Sequence, residues 1–107
     1  MLQQDLRTEV LTQLRRDGSD TSKPHGFDFY FYFPTEAAAR QASERLTQDT
    51  YRVDVRPAAK GTSWLCLAKT TITPDTAPLA EMGTLFSQLA QEFRGEFDGW
   101  ESDVIKR

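Results

Sequence analysis

The sequence predicts an α+β fold, and three observations carry that prediction. Aromatic side chains recur at every second position from Phe27 to Phe33, the period of a strand. Two stretches near the ends, 2–14 and 79–93, carry apolar residues at spacings of 3 and 4, the stripe of an amphipathic helix. The chain has 107 residues, enough to enclose one hydrophobic core and too few for two of ordinary size.

Leu2, Leu6, Val10 and Leu14 recur every fourth residue, with Leu11 beside them, so residues 1–16 read as an N-terminal helix. Asp17-Gly18-Ser19-Asp20, followed by Thr21, Ser22, Lys23 and Pro24, is rich in turn formers, and 17–26 reads as a linker. In the strand that follows, the four phenylalanines fall on one face and Asp28, Tyr30 and Tyr32 on the other. Pro34 closes it, Thr35 is placed to cap a helix, and Glu36 to Leu46 has strong helix formers throughout. Its alanines predict a close seat on a sheet.

Tyr51 to Arg56 alternates, and Pro57 with the Lys60-Gly61-Thr62 turn leads into Ser63 to Ile72, so the two read as an antiparallel hairpin. Thr73-Pro74-Asp75-Thr76 punctuates the chain before Leu79, Met82, Leu85, Phe86, Leu89, Ala90 and Phe93 form a broad helical stripe. Arg94-Gly95 ends that helix, with Gly95 expected at its cap, and Glu96 to Glu101 is left as a last strand. The order is a helix followed by β-α-β-β-α-β over 27–101, the split βαβ or ferredoxin-like arrangement: a four-stranded antiparallel sheet with two helices on one face. The first and third strands are then central, so the four phenylalanines should meet the last helix. The N-terminal helix has the open face, with Tyr30 and Tyr32, as a candidate seat. Residues 102–107 remain as a tail.

Composition narrows the function. A net charge of −3 argues against affinity built on many neutralised phosphates. The one cysteine, Cys66, gives no disulfide framework. No basic-then-apolar leader and no run of about 18 apolar residues occurs, so the cytoplasm is the expected compartment and no membrane partner is expected. Nucleophilic catalysis needs a nucleophile, a base and a group that orients the base. The single histidine, His25, reads as an exposed or turn residue beside Pro24, and Cys66 as a buried packing residue. Neither phosphate-cradle pattern, GxGxxG or GxxxxGK[ST], is present. Glu96, Asp98, Glu101 and Asp103 gather carboxylates, with Glu96 and Asp98 expected on one strand face; a solvated acidic edge explains them better than a metal site. No catalytic residue, cofactor or metal is expected.

Two stretches narrow the reading further: Leu14-Arg15-Arg16-Asp17-Gly18-Ser19-Asp20 at the end of a helix, and Gly95-Glu96-Phe97-Asp98-Gly99-Trp100-Glu101 after a long amphipathic one. With the strand into Phe33-Pro34-Thr35-Glu36 and the alanine-rich helix, they resemble the ribonuclease E regulator B family over nearly the whole chain. The resemblance implies a bacterial cytosolic protein that binds a ribonuclease E-type endoribonuclease and inhibits or redirects its RNA cleavage without doing chemistry itself. The family's best-described members carry a long acidic tail after the Asp-Gly-Trp stretch, a feature suited to an arginine-rich partner. Here Ser102 to Arg107 follows instead. The partner-binding candidates are therefore Glu96, Asp98, Trp100, Glu101 and Asp103, with Tyr30 and Tyr32. The alternative is an RNA-binding module that stacks bases on Tyr30 and Tyr32.

Overall fold

A computed structural model describes residues 5–59 and 61–106. Leu2 of the first helical stripe and Lys60 of the hairpin turn lie outside the described residues. The order is α1 (Leu6–Arg16), β1 (His25–Phe33), α2 (Glu36–Gln48), β2 (Arg52–Pro57), β3 (Trp64–Ile72), α3 (Leu79–Glu92) and β4 (Glu96–Ser102). The strands form one sheet in the order β2-β3-β1-β4, each neighbour antiparallel. The fold is thus α+β, with three helices and a four-stranded antiparallel sheet among the described residues.

β1 lies at the centre because its inward face is wholly aromatic. Phe27, Phe29, Phe31 and Phe33 are each at most 1% exposed. Phe86 of α3 sits over them, its ring 4.7 Å from that of Phe29 and 5.3 Å, edge-on, from that of Phe31. On β3 the positions opposite Phe31 and Phe29 are Cys66 and Ala68, small residues that leave room for the rings. Fully burying each such side chain stabilises by about 1.5–3 kcal/mol relative to leaving it exposed. α2 turns its buried Ala39, Ala42 and Leu46 to the same layer.

α1 does not cover the open face. Its Leu6, Val10 and Leu14 join the phenylalanine core, beside α3. The two helices approach so closely that a Cβ at Gly83 would lie 2.7 Å from the Cβ of Leu6. The physical reason is apolar supply: the Phe27 end of β1 and Trp100 of β4 extend the apolar face beyond the reach of α2 and α3, whereas Tyr30 and Tyr32 offer rings tipped with hydroxyls. Asp5 starts α1, its carboxylate accepting the Thr8 N–H at 2.8 Å, and that bond holds its pKa below the ordinary value.

All three helices end in the same way. The residue after the C-cap is left-handed, and the next amide reaches back to the third-last carbonyl, the Schellman pattern. Ser19 N–H binds Leu14 at 2.9 Å, Tyr51 binds Leu46 at 3.3 Å and Gly95 binds Ala90 at 2.8 Å. The left-handed residues are Gly18, Thr50 and Arg94, at φ 77, 73 and 62. Gly95 was expected at the cap, but Arg94 takes the left-handed position. Gly95 is small for a different reason: a Cβ there would run into the Tyr32 carbonyl and the Phe33 ring.

His25 requires a larger correction. It is the first residue of β1 and is 1% exposed. Of the two expectations, an exposed or a turn residue ahead of a strand from Phe27, exposure is overturned, while its bonds to Ser19 and the Lys23 carbonyl do hold the turn. Its parity with Phe27 puts it on the inward face, so the inward aromatic alternation begins at His25.

Candidate functional site

The helices all pack against the phenylalanine face, and β1 presents Asp28, Tyr30 and Tyr32 on the other. Beside them β3 contributes Leu65, Leu67 and Lys69, and β2 contributes Arg52, Asp54 and Arg56. On the far side lies β4. There the pairing shifts register: Phe31 is opposite Phe97 and Tyr30 opposite Gly99, so Asp98 is an extra residue in a β-bulge. Gly99 takes φ 125, a conformation open to glycine and strained for any other residue. Among the described residues, its chain neighbours aside, no atom lies within 4 Å of where its Cβ would be, so the backbone, and not crowding, calls for glycine.

The bulge decides which side chains meet. An unbroken strand would alternate Glu96, Asp98 and Trp100 on one face. The extra residue reverses the parity, so Trp100 turns inward and Glu101 joins Glu96 on the tyrosine face. The expectation that Glu96 and Asp98 share a strand face is replaced by Glu96 with Glu101, opposite Tyr32 and Asp28 respectively. Asp98 is exposed at the bulge itself.

The tyrosines and carboxylates are in direct contact. Tyr30 donates its phenol to Glu101 Oε1 at 3.0 Å, and Lys69 pairs with Asp28 at 3.6 Å. Burial, then the hydrogen bond and negative charge of Glu101, push the Tyr30 pKa above its ordinary value. Tyr30 therefore stays a neutral donor at neutral pH. Tyr32 is half-buried, opposite Leu65 and Glu96.

Trp100 and Asp103 do different work. The Trp100 ring lies 5.8 Å from that of Phe27, and its Nε1–H donates to Glu9 of α1 at 3.0 Å, clamping the N-terminal helix to the last strand. Asp103 Oδ2 accepts the Gly26 N–H at 3.0 Å, continuing the β1–β4 edge beyond Ser102. The seven candidate residues thus divide. Tyr30, Tyr32, Glu96 and Glu101 share one face, Asp98 and Asp103 flank it, and Trp100 lies on the other side. The cations Arg52, Arg56 and Lys69 also belong to this face. The alternation in Arg52-Val53-Asp54-Val55-Arg56 was the signal that could have assigned the two arginines there.

Ser19 and His25 form a pair that the sequence did not suggest. Ser19 Oγ lies 2.6 Å from His25 Nε2, the spacing of a nucleophile and its base. Nδ1 lies 2.7 Å from the Lys23 carbonyl, which only accepts, so Nδ1 carries the proton and Nε2 accepts from the serine. Both residues are buried, and Ser19 Oγ is occupied in accepting the Ile105 N–H at 2.8 Å. The pair is a tether. With Asp20 N–H bound to the Ile105 carbonyl at 2.6 Å and Lys106 Nζ bound to the Asp17 carbonyl at 2.8 Å, it ties the chain after β4 to the turn after α1. Burial pushes the Cys66 thiol up to about 12, so it remains an unreactive packing group. Among the described residues no three His, Cys, Asp or Glu converge as metal ligands, and no helix is long and apolar enough to cross a membrane.

No curated protein matches the chain in sequence. The family model described as "Regulator of ribonuclease activity B" matches residues 4–102, taking in α1, all four strands and the Asp98-Gly99 bulge. The chain therefore belongs to the regulator of ribonuclease activity B family.

Proposed function

We propose that this protein binds a ribonuclease E-type endoribonuclease in the bacterial cytoplasm and inhibits or modulates it, altering RNA turnover without catalysing a reaction itself. Family membership over residues 4–102 is the observation that carries this reading. The β2-β3-β1-β4 order supports a ferredoxin-like frame for it. Among the described residues no helix covers the other sheet face, and we assign the ribonuclease contact to the β1–β4 half of that face: Tyr30 and Tyr32 as amphipathic rings, with Glu96, Asp98, Glu101 and Asp103 as anions for a basic partner. Tyrosines of this kind supply large contact area at low entropic cost. Trp100 contributes indirectly, by holding β4 against α1.

The test is a binding and cleavage assay with purified ribonuclease E-type enzyme. The wild-type protein should bind and slow or redirect cleavage. Tyr32→Ala and Glu96→Lys should weaken binding with the fold intact, and Leu85→Ala on the helical side should not. Equal binding by all three variants would remove the assignment to this face, and no binding by the wild type would remove the reading. Direct RNA binding by the protein alone, lost in Tyr30→Ala, would favour an RNA-binding module instead. The carboxylates of β4 oppose that outcome.

A further inference from the structure

The open face is patterned in charge as well as in polarity, and the sheet register aligns it in rows. The first row across the sheet reads Arg52, Lys69, Asp28, Glu101. The second reads Asp54, Leu67, Tyr30, Gly99, and the third reads Arg56, Leu65, Tyr32, Glu96. In the outer rows cations occupy the β2–β3 side and anions the β1–β4 side, with leucines and tyrosines between. Such a face is complementary to itself under one rotation only.

We propose that the open sheet face binds a second copy of this chain, related by a two-fold axis parallel to the strands. That axis lays β2 of one copy over β4 of the other while keeping each row over its own row. Arg56 then faces Glu96, Arg52 faces Glu101, and Lys69 faces Asp28, each pair occurring twice. Leu65 and Leu67 are already 7% and 4% exposed in one copy, so between the charged rows the contact is made by Tyr32 and Tyr30 over them. The aligned strands are those of ordinary sheet-on-sheet packing. A two-fold axis across the strands would instead set Arg52 against Arg56 and Glu96 against Glu101, so charge selects the first. One contact is unfavourable, Asp54 near the Asp98 bulge, and Arg56 lies 3.3 Å from Asp54 within each copy to offset it.

Four strands at their usual spacing and rise bury roughly 500 Å² per copy, about 1,000 Å² in all, the lower bound for a specific interface. The association is therefore weak, reversible and sensitive to salt. It covers the surface assigned above to the ribonuclease, so dimer formation and ribonuclease binding exclude one another. Dimer formation itself requires no ribonuclease.

Sedimentation equilibrium at low salt, from about 5 to about 500 µM protein, should show a monomer–dimer equilibrium that weakens with salt. Arg56→Glu and Glu96→Arg should each raise the dimer dissociation constant about tenfold or more by setting like charges face to face. An equimolar mixture of the two variants should dimerise again, because each then offers the other its missing partner. Dilution of the isotope-labelled wild type gives a check that needs no variant: amide signals of Tyr30, Tyr32, Leu65 and Leu67 should shift while those of α2 stay in place. A chain that remains monomeric at about 500 µM, a dimer that both reversals leave intact, a mixture that stays monomeric while both variants are folded, or shifts confined to the helices would each overturn the proposal.

Discussion

The two faces of β1 use alternate residues of one nine-residue strand for opposite ends. Phe27, Phe29, Phe31 and Phe33 disappear into the core, while Tyr30 and Tyr32 stay half-exposed among charges. A phenyl ring and a phenol differ by one oxygen, yet that oxygen decides the layer. The phenol of Tyr30 finds Glu101, and a phenol at Phe29 would find no acceptor on the Phe86 and Phe97 rings that pack on it. One face is therefore built for stability, and the other keeps its polar groups at the surface.

The strongest test of that division is a pair of truncations. Phe29→Ala should cost about 3–5 kcal/mol in denaturant unfolding, and Tyr30→Ala about 1 kcal/mol or less. Similar losses at both positions would erase the distinction between the faces. Alkaline titration probes the core side. Burial raises the Cys66 pKa from 9.0 to about 12 in the folded state, so its contribution to stability is complete below pH 9 and is lost as pH rises towards 12. Cys66→Ala should flatten the stability profile across that window, and an unchanged slope would assign the alkaline loss to other groups such as Tyr30 and Tyr51, whose pKa values are also raised.

Smaller effects sharpen the boundary between the faces. Gly99→Ala should cost about 1–3 kcal/mol through backbone strain at the bulge. It should also shift Trp100 fluorescence to the red as the inward parity of that ring is loosened; an unshifted spectrum would separate the bulge from the tryptophan. His25→Phe keeps a ring on the inward face but removes both of its hydrogen bonds. A loss of about 1–3 kcal/mol is expected, with faster amide exchange at Ile105. Thr50→Gly touches neither face: relieving its left-handed backbone should add about 0.5–1 kcal/mol to stability and leave every binding measurement unchanged.

Much of this was legible in the sequence because periodicity is a local property. Alternation from Phe27 to Phe33 fixes a strand and its two faces, and the spacing of Leu79, Met82, Phe86 and Leu89 fixes a helix and the side it buries. The Gly95 to Trp100 stretch was legible as a family mark, and Tyr30 and Tyr32 as exposed aromatics. Three things depended on contacts between distant segments. The bulge at Asp98 needed β1 as a partner strand, since parity across a register shift cannot be counted along one strand. The burial of His25 needed Ser19 and Ile105, one from each side of the sequence. The seat of α1 depended on which face had apolar area to spare, a quantity that exists only once the sheet is assembled. By itself the sequence determined the elements and their inward faces, because side-chain period and turn chemistry act over a few residues. Tertiary structure alone decided which residues share the open face, because register, bulge and helix placement are properties of pairs of segments.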